Sequence, residues 1–408
     1  MITAERFAAL WRSLLPIGRY AASDPGAGHS RYSWSPADLA CREWFLEEAL
    51  DRGLSVETDG NGNLYAWWGN PAGSAAVLTG SHLDSVPHGG SYAGALGVVG
   101  ALLAIDELRD RGHDTPPRPV GIVVFTEGEG ARFGVPRLGS RLLTGAQDAD
   151  PARRLRDRDG VDLAEAMTAG GAEPAALGPD PERLARISTF VELHIEQGQA
   201  LAQLGAPVGI ASGTWAHGRW RIDVTGKGNS ASTTRMADRH DPLLTLACTV
   251  LAADEEARLR GGHATVGGLT VTPNASNVVA AAATAWLDAR APDEATLDDL
   301  TDAVRKRAQE RAGADGTSLG WCADSRSGAV TFDPTLRARV AALLPGAPVL
   351  ATAAGHDAGV LAAHAPTTML FVRNPSGVSH APAEYATDED CAAGVTALAT
   401  VLESLAWP

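Results

Sequence analysis

Two hydrophobic rhythms share this chain, and the second interrupts the first. From Ser35 to about residue 212, helical and strand periods alternate; from about 213 to 324 the pattern is that of a half-buried antiparallel sheet with two helices; from about Thr331 the first rhythm returns. Alternation of the first kind builds a sheet with helices packed against it. The interruption therefore predicts an α/β fold: a discontinuous catalytic-type domain, 1–212 plus 325–408, carrying an inserted α+β open-faced sandwich over 213–324. At 408 residues the chain exceeds what one core usually organises, which agrees with two domains.

Local signals place the elements. Ser35-Pro36 caps and starts a helix whose apolar residues Leu39, Phe45, Leu46 and Leu50 end at Gly53. A strand pair flanks the turn 59–63, followed by a buried strand over 75–79, a helix over 96–111 and a strand over 120–126. His82 and Glu127 then fall just past strand C-terminal ends, where open α/β sheets carry their chemistry. A further strand over 190–194 ends at His194. In the insert, Trp220, Ile222 and Val224 alternate with polar residues, a helix follows Pro242, two strands flank 274–277, and a helix covers 296–311. That order is β-α-β-β-α. A helix near Leu336, strands near Val349 and over 368–372, and a helix capped by Thr387 complete the first domain.

Composition narrows the partners. A formal charge of -15 argues against a nucleic-acid surface, because phosphate binding needs clustered Lys and Arg. With 45% hydrophobic and 20% charged residues the chain is ordinary globular protein, and a small-molecule partner fits best. No window is apolar enough to span a membrane and the N-terminus carries no basic-then-apolar leader, so a cytoplasmic location is expected. Cys41, Cys248, Cys322 and Cys391 lie far apart with no Cys-x-x-Cys spacing, so buried thiols are expected rather than disulfides or thiolate metal ligands.

Four segments carry chemistry. Gly80-Ser81-His82-Leu83-Asp84 sets a His beside a carboxylate two residues on, a pairing that suits a metal ligand whose other ring nitrogen is oriented by an acid. Taken alone, such a pair says little. Phe125-Thr126-Glu127-Gly128-Glu129-Gly130, Glu192-Leu193-His194-Ile195-Glu196-Gln197-Gly198 and Gly377-Val378-Ser379-His380-Ala381-Pro382-Ala383-Glu384 add His and Glu at element ends of the same domain, as a zinc site of nitrogen and oxygen ligands requires. Together these motifs resemble the zinc-dependent amidohydrolases that include allantoate amidohydrolase, N-carbamoyl-L-amino-acid hydrolase and β-ureidopropionase. The likeness covers nearly the whole chain. In that family two zinc ions are held by His, a bridging Asp, Glu and two more His, and a neighbouring Glu deprotonates the water between them. The resemblance implies His82, His194 and His380 as remaining ligands, Asp84 as the orienter of His82, and Glu127 as the base.

Three positions depart from the family pattern, all at its chemistry. Ala93 in Tyr92-Ala93-Gly94 stands where the family has the bridging Asp, Gly128 stands where it has the second Glu ligand, and Ser230 in Asn229-Ser230-Ala231 stands where it has a His that stabilises the transition state from the partner subunit. Ser230 can still donate a hydrogen bond. Because catalytic zinc generally takes three protein ligands, the expectation is no cofactor or a single weakly bound zinc, with manganese as the alternative, and no dinuclear centre. Glu129, next to the vacated position, is expected to face away, since neighbours in an extended chain point to opposite sides.

His217, Asn277 and Arg290 match positions that contact substrate in the family, Arg290 as a carboxylate clamp; Gln197 either adds an amide contact to a ureido-like or amide group or caps its own loop. An ion pair with Asp288 or Asp241 is the structural alternative for Arg290. His356, in Gly355-His356-Asp357-Ala358, and Glu384 match segments near the site; His356 either polarises a ligand or caps local carbonyls. The remaining histidines carry no comparable spacing. The expected function is therefore that of a divergent carbamoylase-like homodimer acting on an amino-acid-like or ureido small molecule with a carboxylate. Its reaction is expected to be metal-independent: condensation, cyclisation, elimination or rearrangement with Glu127 as acid/base. Single-metal hydrolysis of a C–N bond in an amide, amidine or ureido acid is the alternative, and a non-catalytic ligand-binding or partner-supporting protein the second.

Overall fold

A computed structural model describes residues 2–19, 27–73 and 75–408. The chain forms two units, 1–213 with 331–352 and 356–408, and 214–330 with 353–355. The second unit extends beyond the expected boundary at 324 because its last long strand continues to Ser327.

Strands β1 (Ser55–Thr58), β2 (Leu64–Trp68), β3 (Ala76–His82), β4 (Val120–Phe125), β5 (Ile187–Ile195) and β6 (Val208–Thr214) precede the insert. The insert contributes β7 (Ala216–Thr225), β8 (Asn229–Ser230), β9 (His263–Thr272), β10 (Val278–Val279), β11 (Ala282–Ala291) and β12 (Ser318–Ser327). Strands β13 (Val330–Thr331), β14 (Val349–Thr352) and β15 (Thr367–Val372) follow. The larger sheet runs β1-β2-β4-β3-β5-β15-β6-β13, with β14 also paired to β6. Its centre, β4-β3-β5-β15, is parallel. Every residue of β3, β4 and β15 is buried, as expected of strands whose sequences are near-continuous apolar runs. The helices Ala95–Asp110 and Asp388–Ala406 share one core with these strands, joining Leu96, Val99 and Leu398 to Leu193 and Val372. Gly97 sets how closely the first helix approaches: a Cβ there would lie 2.4 Å from the Leu193 carbonyl oxygen and 2.8 Å from the Ser81 Cβ.

This parallel centre positions the site, because the C-terminal ends of four adjacent strands lie along one rim of the sheet. His82 is the last residue of β3, Glu127 lies two residues past β4, His194 is the next-to-last residue of β5, and His380 lies in the loop after β15. The β3 strand is longer than expected, since Ser81 and His82 stay in register with Val124 and Phe125. His82 is therefore held inside the strand rather than beyond it.

The second unit is a four-stranded antiparallel sheet, β12-β7-β11-β9, with a short β8–β10 pair. On β7, Ala216, Trp220, Ile222 and Val224 face a core completed by Leu246 of the helix Pro242–Arg260 and by Leu297, Leu300 and Val304 of the helix Glu294–Asp315, while Arg219 and Arg221 face outward. The four cysteines are free. Cys41 and Cys391 are buried, but Cys248 is half-buried and Cys322 exposed, contrary to the expectation of buried thiols. Cys322 sits on the outer face of β12, opposite to that by which its neighbour Trp321 packs on the core, so packing does not cover it.

Candidate active site

Backbone groups of the loops are the main partners of the buried acids. Asp84, 2% exposed, accepts the N–H of Gly128 at 2.8 Å through Oδ1 and that of Glu129 at 3.0 Å through Oδ2. Its Oδ1 also lies 3.5 Å from His82 Nδ1, which donates to the Asp84 carbonyl at 3.0 Å. Burial opposes a charge on His82, but the bond and charge of Asp84, with the charges of Glu129 and Asp357, raise its pKa to about 10. Two residues along β5 from His194, and so on the same face, Glu192 accepts from Ser81 Oγ at 2.7 Å and from the Ala358 N–H at 2.9 Å. Burial, then the Asp357 charge, pushes its pKa up to about 8. Ser140 Oγ donates to Asp357 Oδ1. Ser81, Glu192 and Ser140 carried no role in the sequence reading; the shared strand face of Glu192 and His194 was the available signal.

Glu127 is fully buried and adopts φ 55°, a left-handed conformation that a non-glycine residue takes only where its surroundings impose it. Its Oε1 accepts the N–H groups of Phe133 at 2.7 Å and Arg132 at 3.0 Å, whereas Oε2 makes no direct hydrogen bond, although the buried Ser33 hydroxyl lies near enough to favour the carboxylate's charge. Burial, then the Asp84 charge, raises its pKa to about 7. The same turn overturns one expectation. Glu129 does not face away: its Oε2 lies 3.4 Å from His380 Nε2, because the chain bends at Glu127 instead of running extended. His380, itself at φ 56° and with a side chain 47% exposed, also meets the Gln197 amide at 3.0 Å, and Gln197 contacts Ser379 Oγ at 3.0 Å.

Glu384 accepts the N–H groups of Tyr92 and Ala93 at 2.9 Å each through Oε1. The next N–H, of Gly94, donates to His194 Nε2 at 3.0 Å, while His194 Nδ1 donates to the Ile195 carbonyl at 2.8 Å. Burial, then the nearby His82 and His380, lowers the His194 pKa to about 3. His356 packs edge-on to His194 with ring centroids 4.5 Å apart, and burial holds it well below the usual histidine range. His356 Nε2 and Asp357 Oδ2 are buried without a direct hydrogen bond, as is Glu127 Oε2.

The second unit holds the other sequence candidates. Arg290 stands opposite His217 in the β11–β7 register. Its Nε donates to Asp288 Oδ1 at 2.8 Å and its Nη1 to the Ala353 carbonyl at 2.8 Å, so the ion pair named as its structural alternative is the one formed. Asn277 is exposed. Ser230, on β8 opposite Val278, lies 3.1 Å from Ser232 Oγ.

The model of peptidase family M20/M25/M40 matches residues 78–404. The chain belongs to this family. It is 34% identical over 404 residues to the N-carbamoyl-L-amino acid amidohydrolase of Geobacillus stearothermophilus, covering 98% of this chain and 97% of that one. To the allantoate amidohydrolase of Escherichia coli K12 it is 33% identical over 399 residues, covering 94% and 95%. The solved structure of AtUAH in complex with (S)-hydroxyglycine superposes with a TM-score of 0.86 at 26% identity, covering 100% of this chain and 99% of that one. The two sequence relatives are amidohydrolases by name, and the solved structure shares the α/β fold. Among the described residues, no helix is long and apolar enough to cross a membrane.

A zinc centre of the kind the M20/M25/M40 resemblance implies needs ligands with free lone pairs. His194 has both ring nitrogens engaged, and Ala93 and Gly128 supply no oxygen. Among the described residues, the group of three His, Cys, Asp or Glu side chains whose ligand atoms all lie within 4.8 Å of one another is Glu192, His194 and His356, which shares only His194 with the expected trio. Both Glu192 oxygens already accept hydrogen bonds. As arranged, these residues do not fit a dinuclear centre.

Proposed function

We propose that this M20/M25/M40 chain transforms an amino-acid-derived small molecule bearing a carboxylate by a metal-independent reaction at a C–N bond, with Glu127 moving the proton. The observation that carries this reading is Glu127 itself. One oxygen is fixed by two backbone N–H groups, the other makes no direct hydrogen bond and has only the Ser33 hydroxyl nearby, and the pKa of about 7 lets the group both take and return a proton near neutrality. In a condensation, cyclisation, elimination or rearrangement, Glu127 would accept the proton of an attacking N–H or O–H, or of an acidic C–H, and return it to the departing nitrogen or oxygen. The buried, unpartnered His356 Nε2 and Asp357 Oδ2 are further candidate contacts for a polar ligand. The (S)-hydroxyglycine held by the solved relative supports an amino-acid-like ligand. In the first unit Gln197 remains a candidate contact; for His217, Asn277 and Arg290 of the second, the motif match alone supports a ligand role. The deciding measurement is turnover of carbamoyl, ureido and N-acyl amino acids with and without chelator, in the wild type and in Glu127→Gln. Activity that survives chelation and collapses in the variant supports the reading; activity abolished by chelation and restored by zinc rejects it.

One observation favours a second reading, single-metal C–N hydrolysis: the Glu192, His194 and His356 atoms are close enough to share one ion if His194 releases the Gly94 N–H. Stoichiometric zinc or manganese in the purified protein would support it.

A homodimer goes with either reading. In the second unit β9 is an edge strand, with Leu269 on it and Leu251 and Leu259 on the helix Pro242–Arg260 exposed by 55%, 63% and 77%. An unpaired edge beside exposed leucines suits a second copy of the chain. A monomer by light scattering would reject this. The free cysteines suit a reducing, cytoplasmic setting.

A further inference from the structure

The loss of the Glu ligand at position 128 involves more than an absent side chain. A Cβ added to Gly128 would lie 2.3 Å from His82 Cγ, 2.6 Å from Cδ2 and 2.7 Å from Cβ. On the other side, a Cβ at Gly94 would lie 2.4 Å from His82 Cε1 and 2.5 Å from Nδ1. The imidazole thus sits in a slot between two glycines, and its root occupies the start of any side chain at 128. Rotating the ring cannot fully clear that space, because His82 Cβ, which alone lies 2.7 Å away, is placed by the backbone of a residue paired within β3.

The loop cannot readily retreat either. The Gly128 N–H is held by Asp84 at 2.8 Å and its carbonyl accepts from the Arg137 N–H at 2.8 Å, while the Glu127 carbonyl accepts from the Leu138 N–H at 3.1 Å. On the Gly94 side, the backbone N–H engages the nitrogen of His194 that would face a metal.

We propose that His82 has become a positioning residue. Packed into the space left at Gly128 and bonded to the Asp84 carbonyl, it fixes Asp84, and Asp84 fixes the two N–H groups next to Glu127. The loss of the metal ligands is thereby built into the packing, so restoring Asp at 93 and Glu at 128 does not restore a metal centre. This rests on the metal-independent reading above.

Two measurements test it. In a thermal-unfolding cycle, Gly128→Ala is expected to lower Tm by several degrees in the wild-type background and by little in combination with His82→Gly, which removes the His82 Cβ along with the ring. An equal drop in both backgrounds, or none in either, overturns the packing claim. In the second, Ala93→Asp/Gly128→Glu is exposed to zinc, freed of excess metal and assayed for bound zinc and Tm. No stoichiometric zinc and a lowered Tm are expected; one or more zinc ions per chain with a raised Tm overturns the proposal. Should that double variant not fold, the cycle alone decides. As a positioning residue, His82→Ala should lower kcat more than it raises KM, with part of the loss recovered in His82→Asn. Chelator sensitivity of the wild type tests the reaction and the 82/128 cycle tests the packing, so the two ideas can fail separately.

Discussion

The floor and the rim of the candidate site come from the same four motifs yet are held in different ways. On the floor, buried carboxylates grip backbone: Asp84 holds Gly128 and Glu129, Glu192 holds Ala358, and Glu127 holds Arg132 and Phe133. At the rim, His380, Gln197, Glu129 and Ser379 meet one another largely through side chains, and His380 is half exposed. Floor bonds hold the shape of the loops with or without a ligand. Rim contacts cost little to rearrange, so ligand-dependent change is expected there.

The largest effect that would sharpen this contrast is on chemistry. Glu127→Gln keeps the shape of the floor and removes its proton carrier, so turnover is expected to fall by about 100- to 10,000-fold while Tm holds or rises. A variant that retains activity would move the chemistry to the rim. Next, Asp84→Ala strips two buried N–H groups of their acceptor and should destabilise the fold by about 3 kcal/mol in denaturant titration. A loss below about 0.5 kcal/mol would mean that the floor does not depend on these bonds.

The pH dependence of stability gives a smaller effect. Glu127 and Glu192 have pKa values of about 7 and about 8 when folded, above the ordinary carboxylate value of 4.5. Between that value and about 8 the folded state binds more protons than the unfolded one, so their contribution is full at the acid end and declines as pH rises through the folded pKa. The unfolding free energy in denaturant titration should therefore fall from about pH 5 to 8 on account of these groups, by up to about 1.4 kcal/mol per pH unit for each, and Glu192→Gln should flatten part of that slope. An unchanged slope would show that Glu192 is not protonated in the fold. Smallest of all, His380→Ala at the rim should change stability by no more than about 0.5 kcal/mol. A larger loss would erase the distinction between floor and rim.

Much of the fold was legible because its signals are local. Ser35 caps its helix by accepting from the Asp38 N–H, and Thr387 does the same for Asp390, as their positions before apolar-periodic runs implied. Glu129 was misread because alternation along an extended chain was applied to a segment that turns at a left-handed residue. For Arg290, motif position favoured a ligand, but the Asp two residues earlier on the same strand face was nearer at hand. Neither outcome has a local sequence signal, since each depends on a backbone angle or on which partner lies closest.

By itself the sequence determined the interrupted α/β alternation, the placement of His82, Glu127 and His194 at strand ends, and the three departures Ala93, Gly128 and Ser230. Periodicity, caps and motif spacing are short-range, so they can be read along the chain. Tertiary structure alone decided what happens in the gaps. It brings Glu192 and His194 of β5 together with His356 at the start of the helix Asp357–Leu361, turns Glu129 toward His380, and packs His82 into the space beside Gly128. The physical reason is that a missing side chain is a volume, and which neighbour fills it depends on atoms far away in the sequence.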